Sequence, residues 1–376
     1  MSFYPICTEY NALPLNERFE SVTESDVRRA LGKTVLDLDD LLSLMSPAAA
    51  PFIEEMAQKA SRLTLQYFGK TIQLFTPLYL SNFCTNHCVY CGFNTKNKIP
   101  RSQLELAQVE EEAKAIAATG LKHLLILTGE SRAKASPDYL NSCMAVLRKH
   151  FPSVSIEIYS MDQDEYARLV DSGVDGLTVF QETYDEELYA TLHLSGPKKN
   201  FRYRLDAPER GCKAGMRVVN IGALLGLGDW RKDAYLTGMH VAYLQNRYPE
   251  VDIAVSLPRM RPHAGEFQPT SIVNDRDMVQ ILLAFRLFSP RLGITISTRE
   301  SVQFRENILP LGVTKMSAGV STAVGGHSLE DDSQDVETVG QFDISDERTV
   351  DEMCEALRKQ GYQPVFKDWE SITDFQ

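Results

Sequence analysis

The chain has 376 residues, 43% hydrophobic and 24% charged, which suits a normal packed core and one large α/β barrel with additions. A net charge of −12 with no Lys/Arg run argues against nucleic acid or an anionic membrane as partner. The opening stretch MSFYPICTEYNALP has no basic region leading into an apolar run, and no apolar run reaches about 18 residues, so no signal peptide or membrane span is expected and the location is expected to be cytoplasmic.

Residues 1–70 read as an N-terminal helical extension. TESDVRRAL opens on Thr23 as a helix cap with Asp26 three residues on, and the amphipathic stretch SPAAAPFIEEMAQKASRLTLQYFG stops at Gly69. From residue 71 to 320 the pattern changes to strand–helix alternation. Eight strand-like runs follow: TIQLFTPLYL, HLLILT, VSIEIYS, GLTVFQ, RVVNIGALL, DIAVSLP, GITIST and VTKMSA. Between them lie helical patterns such as QLELAQVEEEAKAIAATG and NDRDMVQILLAFRLFSP. Mostly apolar strands in repeated βα units indicate a parallel sheet covered by helices, and eight units match a closed (β/α)8 TIM-type barrel; a doubly wound open sheet is the alternative. Residues 321–376 form a C-terminal extension: a Gly/Ser/Asp-rich loop over 321–345, folded back over the barrel mouth, then the helix DERTVDEMCEALRKQG and a last strand at YQPVFKDW.

Seven cysteines, an odd number with no secretion signal, argue against a disulfide framework. Cys7, Cys143, Cys212 and Cys354 are scattered and read as packed thiols. Cys84, Cys88 and Cys91 have the spacing C-x3-C-x2-C just after the first strand, where a barrel keeps its active site. Three thiolates on one loop can hold a 4Fe–4S cluster and leave one iron open. A zinc site with His87 as fourth ligand is the alternative.

The segment YLSNFCTNHCVYCGF resembles the cluster loop of the radical S-adenosylmethionine (SAM) superfamily, with Tyr90 as its aromatic. The resemblance implies SAM chelated to the open iron and cleaved by one electron to a 5′-deoxyadenosyl radical, with Tyr90 near the adenine; stiffening of the loop is the other reading of Tyr90. Gly129-Glu130, ending the second strand, resembles the motif that holds the SAM ammonium. Glu157, in the third strand, needs a partner if it faces the barrel interior, and ribose hydroxyls would serve. Gln181 and Glu182 form a polar cluster ending the fourth strand. Arg204 matches the arginine that pairs with the SAM carboxylate in biotin synthase-like members, and Gly222 and Gly226 match a Gly-rich adenine-binding edge.

Over almost the whole chain, LILTGE, FQETY, GALLGLGDWRKDA, LPRMRP, STRES and FKDW together resemble the tyrosine lyases of thiamin biosynthesis. That resemblance implies cleavage of the Cα–Cβ bond of L-tyrosine to 2-iminoacetate and p-cresol, a flavodoxin or ferredoxin as electron donor, and contact with thiazole synthase and its sulfur-carrier protein. Arg299, in STRES, is the implied grip on the substrate carboxylate, with an ion pair to Glu300 as the alternative. Ser317 ends the eighth strand beside it. Arg259 and Arg261 sit at the mouth of the sixth strand, at least one of them structural, and His263 is a candidate contact for the phenol. A tryptophan lyase, a subunit of deazaflavin-cofactor synthesis and a non-catalytic iron–sulfur carrier are the competing functions. Only Cys354 lies in the last 160 residues, so the second cluster of the tyrosine lyase of hydrogenase maturation is not expected.

Overall fold

A computed structural model describes residues 2–260, 267–328 and 340–367. Eight parallel strands close into a barrel: β1 (Thr71–Ser81), β2 (His123–Thr128), β3 (Ser153–Glu157), β4 (Gly176–Glu182), β5 (Val218–Ala223), β6 (Asp252–Ser256), β7 (Gly293–Ile296) and β8 (Lys315–Ser317). Each pairs with the next, and β8 returns to β1 with Gln73 opposite Lys315 and Phe75 opposite Ser317. The open-sheet alternative therefore falls. Apolar residues such as Leu74, Leu124, Ile126, Val154 and Ile294 are fully buried, as parallel strands covered by helices require.

A ninth strand, β9 (Gln363–Val365), runs parallel to the start of β1. Gln73 pairs with both Lys315 and Val365, so β9 and β8 lie on opposite edges of β1. Pairing of β1 with β2 begins only at Thr76, and β9 occupies the edge that this stagger leaves bare.

Helix starts follow local chemistry. Thr23 and Asp26 form a reciprocal capping box, as do Asn274 and Asp277, and Thr349 and Glu352. The helix Ile53–Phe68 stops at Gly69, whose φ is 63°. The helices Leu38–Met45 and Ile53–Phe68 pack against the barrel helix Asp275–Phe288, and Gln280 donates to the carbonyls of Leu44 and Ser46 at 2.9 and 2.8 Å. Leu41, Leu44 and Met45 are fully buried there, each contributing about 1.5–3 kcal/mol of burial free energy. Among the described residues no helix is long and apolar enough to cross a membrane.

Candidate active site

β1 ends at Ser81 and the cysteine loop begins at once. Gly129, after β2, lets that loop approach: a Cβ here would sit 2.4 Å from the Phe83 carbonyl oxygen. The Glu130 carbonyl accepts from the Thr85 N–H at 3.1 Å and its hydroxyl at 2.9 Å, while the Glu130 carboxylate accepts from Asn86 Nδ2 at 2.8 Å. On the other flank, His87–Cys88 pairs antiparallel with His193–Ser195. The Tyr90 hydroxyl lies 2.7 Å from His193 Nε2, and His193 Nδ1 lies 2.8 Å from the Tyr189 carbonyl. Nδ1 therefore donates, and Nε2 accepts the hydroxyl. Burial pushes His193 down to about 3, so the ring is neutral.

Behind the loop stand four charged groups: Glu130, Glu182, Lys198 and Arg204. Arg204 Nη1 lies 3.0 Å from Glu130, and its Nε donates to the Phe180 carbonyl at 2.7 Å. Lys198 Nζ lies 2.6 Å from Glu182 and 3.9 Å from Glu130. Burial raises Glu182, but Lys198 and Arg204 outweigh it and hold the carboxyl below its usual range. Glu182 has φ 74°, the left-handed region in a non-glycine residue, at a register shift between β4 and β5. Such strain gathers at functional sites. The bulged neighbour, Gln181, buries both ends of its amide with no partner among the described residues.

Inside the barrel is a cavity of about 600 Å³. Glu157 on β3, Ser317 on β8 and Arg299 just past β7 all line it. Burial pushes the Glu157 carboxyl up to about 7, partly offset by Arg299. Neither the Glu157 carboxylate nor the Arg299 guanidinium makes a hydrogen bond or ion pair among the described residues; Arg299 stacks on Phe342, 3.5 Å from the ring centroid. Phe342 reaches this place because its chain is tied down nearby. Ser345 N–H donates to the Thr298 carbonyl at 2.9 Å, and buried Asp346 pairs with Arg305 and Arg348. Gln341, next to Phe342, accepts from the Tyr79 hydroxyl at 2.9 Å and directs its amide nitrogen to Cys91 Sγ at 3.9 Å. The described part of the 321–345 loop thus crosses the barrel mouth; residues 329–339 lie outside the described residues.

Arg259 needs correction. Its Nε bonds Glu300 at 2.9 and 3.0 Å, Nη1 donates to the Val273 carbonyl at 2.9 Å, and Nη2 meets Asp275 at 2.6 Å. All three nitrogens are spent on structure, so Arg259 is a brace and not a substrate clamp. The same pair removes the Glu300 alternative for Arg299. Glu300 is 1% exposed. Arg259→Ala takes the bidentate Arg259 contact from that buried carboxylate, and a destabilisation of up to about 3–5 kcal/mol is expected by urea unfolding. Part of it should return in the Arg259→Ala/Glu300→Gln double variant; two losses that simply add would refute the pairing. Arg261 and His263 lie outside the described residues. Ser317 Oγ accepts from the Thr298 N–H at 3.0 Å, which leaves its own proton to donate. Gly222 lies in β5 and Gly226 in the turn after it, and Leu224 and Leu227 beside them pack with Cys88 and Tyr90, so this edge borders the cysteine loop.

Lys198, Asn86, His193, Gln341 and Phe342 were not singled out from the sequence. Asn86 carried one legible signal, its position inside the cysteine motif; the others lie in loops or short elements with no periodic pattern.

The residues fit a cluster with SAM. Among the described residues no three His, Cys, Asp or Glu side chains converge on a single ion. Three thiols gathered on one loop after the first strand suit a cluster that leaves one iron open. The unpartnered Gln181 amide and the charged quartet beside the loop offer polar contacts of both signs to a zwitterionic ligand.

The sequence model of the Radical SAM superfamily matches residues 78–236, and that of the Biotin and Thiamin Synthesis associated domain matches residues 256–363. The chain is 42% identical over 355 residues to the 2-iminoacetate synthase of Salmonella typhimurium (strain LT2) and 43% identical over 355 residues to that of Escherichia coli (strain K12), covering 94% of this chain and 93% of each relative. The solved structure of the FeFe-hydrogenase maturase HydG from Carboxydothermus hydrogenoformans superposes with a TM-score of 0.84 at 30% identity, over 97% of this chain and 83% of that one. A closed barrel with three cysteines on its first loop, matched along nearly its full length, belongs to the radical SAM superfamily and, within it, to the 2-iminoacetate synthase family.

Proposed function

We propose that this chain is a radical SAM tyrosine lyase, splitting the Cα–Cβ bond of L-tyrosine to 2-iminoacetate and p-cresol while SAM becomes methionine and 5′-deoxyadenosine. The observation that carries the reading is Arg299: a cation without a hydrogen-bond or ion-pair partner among the described residues, lining the barrel cavity, with Cys91 of the cysteine loop among the groups whose charge acts on it. Its planar fork suits the carboxylate of an amino acid. When bound, a 4Fe–4S cluster on Cys84, Cys88 and Cys91 together with SAM supplies a hydrogen-atom acceptor, the 5′-deoxyadenosyl radical. Glu130 offers a carboxylate to the SAM ammonium and Arg204 a guanidinium to its carboxylate, with Lys198 sharing that charge. Tyr90, fixed by His193, offers the adenine a ring edge or face, and Gln181 and Glu182 offer hydrogen bonds beside it. Arg299 holds the tyrosine carboxylate, and Ser317 adds a hydroxyl donor. Phe342 and Gln341 cover the mouth and keep water from the reacting groups.

The finer partners are those the family resemblance implies. The reaction needs a one-electron donor of the flavodoxin or ferredoxin kind, and 2-iminoacetate hydrolyses in water, which favours direct delivery to thiazole synthase and its sulfur-carrier protein.

The test is anaerobic reconstitution with iron and sulfide, then addition of SAM, reductant and tyrosine. Tyrosine-dependent p-cresol and 5′-deoxyadenosine are expected; 5′-deoxyadenosine with tryptophan but not tyrosine would overturn the substrate. Phenylalanine serves as the second probe. A pocket that buries a partner for the phenol should reject it by roughly 10⁴–10⁵ in kcat/KM. Comparable turnover of the two amino acids would remove the phenol contact and leave radical initiation standing.

A further inference from the structure

An α-amino acid enters the cavity as a zwitterion, and Arg299 answers only one of its charges. The other, the ammonium, meets no assigned partner. We propose that Glu157 is the catalytic base that receives one proton from this ammonium while Arg299 holds the carboxylate. The inference rests on the lyase reading and deepens it.

Three observations carry the assignment. Glu157 and Arg299 line the same cavity, from β3 and from the end of β7. Arg299 is the strongest charged influence on Glu157, and Glu157 is among those acting on Arg299. No hydrogen bond among the described residues ties Glu157 to the quartet of Glu130, Glu182, Lys198 and Arg204, whose members bond one another. The sequence suggested ribose hydroxyls as its partner; a carboxylate paired across a cavity with the carboxylate clamp is better suited to the substrate's amine.

The chemistry requires such a group. An ammonium nitrogen has no lone pair, and removing a hydrogen atom from it leaves a charged radical that nothing adjacent stabilises. A neutral amine gives a neutral nitrogen radical, and breaking the Cα–Cβ bond then yields an imine directly. In the proposed step one N–H bond breaks, its electron pair stays on nitrogen, and the proton passes to a Glu157 carboxylate oxygen. Nothing is oxidised or reduced.

A base works best with a pKa near the working pH, and Glu157 is raised by burial to about 7. The charged or titratable groups acting on it are Arg299, Glu182, Arg204, Lys198 and Tyr79. Of these, Glu182 is held low and Tyr79 is pushed up by burial, so neither titrates near 7. Asp233 is also raised by burial to about 7, but it bonds the Thr183 hydroxyl and the Tyr184 N–H behind the site and does not line the cavity.

The experiment compares wild type, Glu157→Gln and Glu157→Asp, each anaerobically reconstituted. In the wild type kcat/KM for tyrosine should rise with pH through about 7, since the ionised carboxylate is the acceptor. Glu157→Gln should lose roughly 10²–10⁴-fold in rate and lose that limb, and its residual activity should climb at alkaline pH as solution supplies the neutral amine. Glu157→Asp should keep the limb at reduced rate. Iron content and the change in the cluster's EPR spectrum on adding SAM without tyrosine should match wild type in all three. Weakened SAM binding in Glu157→Gln with an unchanged pH limb would overturn the proposal and return Glu157 to the ribose; so would wild-type turnover of tyrosine. A limb that persists in Glu157→Gln belongs to another group, Asp233 first, and also overturns it. Should the wild type cleave a different α-amino acid, the tyrosine reading fails by itself, and the same comparison decides the base with that substrate, whose ammonium is the same.

Discussion

Alanine at Cys84, Cys88 or Cys91 abolishes cleavage of SAM, whereas alanine at Cys7, Cys143, Cys212 or Cys354 leaves cluster content near normal: this is the expected result with the largest effect. The two groups of cysteines occupy different surroundings. Cys7, Cys143 and Cys212 are buried among apolar side chains, and burial pushes their thiols up to about 12, 11 and 12. They stay protonated and serve as small hydrophobic fillers. Cys84 and Cys91 are only part-buried by surface and sit, with Cys88, on one loop braced by Glu130 on one flank and His193–Ser195 on the other. Burial raises the thiols of Cys84, Cys88 and Cys91 as well, but Lys198 is the largest influence opposing it at Cys88 and Cys91, a favourable neighbour for thiolates. An open iron needs all three sulfurs, so losing any one removes the site SAM binds. Iron and sulfide analysis with EPR, alongside 5′-deoxyadenosine assays, makes the check. A Cys88→Ala protein with a full, SAM-cleaving cluster would sink the assignment. Exposure to air should inactivate the wild type, because an exposed cluster with an open iron is readily oxidised.

The parts of this site readable in the sequence are those with a local cause. The strands announce themselves because a parallel barrel buries both faces, so TIQLFTPLYL and HLLILT are nearly continuous apolar runs. The cysteine spacing is local, and so are Gly129-Glu130 at a strand end and the Thr23–Asp26 capping box. What was not readable comes from pairings distant in sequence. Arg259 and Glu300 are 41 positions apart, and only their meeting shows that one arginine is a brace and another, Arg299, is free of Glu300. Lys198 follows a Gly-Pro turn with no periodic pattern, yet its ammonium completes the quartet with Glu182. Gln341 and Phe342 belong to a loop whose composition says only that it is exposed, and their place over the mouth depends on Asp346 being caught by Arg305 and Arg348. The left-handed backbone at Glu182 is a tertiary effect with no signature in FQETY.

Removing the Arg299 side chain should separate the two halves of the reaction. Arg299→Ala leaves the cysteine loop and the Glu130–Arg204 pair untouched, since they stand on β1, β2 and the segment after β4. Slow cleavage of SAM should therefore persist. Tyrosine, deprived of the cation for its carboxylate in a buried cavity, should lose on the order of 3–5 kcal/mol of binding, several hundred-fold or more. p-Cresol then falls much further than 5′-deoxyadenosine. Arg204→Ala should do the reverse: SAM binding weakens first, and both products fall together. Phe342→Ala belongs between them, because the ring only stacks on the guanidinium and holds it in place. The ratio of p-cresol to 5′-deoxyadenosine in the three variants is the quantity to measure. If Arg299→Ala kept the wild-type ratio and its dependence on tyrosine, the clamp would lie elsewhere. Arg259 could not take over, with Glu300, Asp275 and the Val273 carbonyl on its three nitrogens, so the search would move to Arg261.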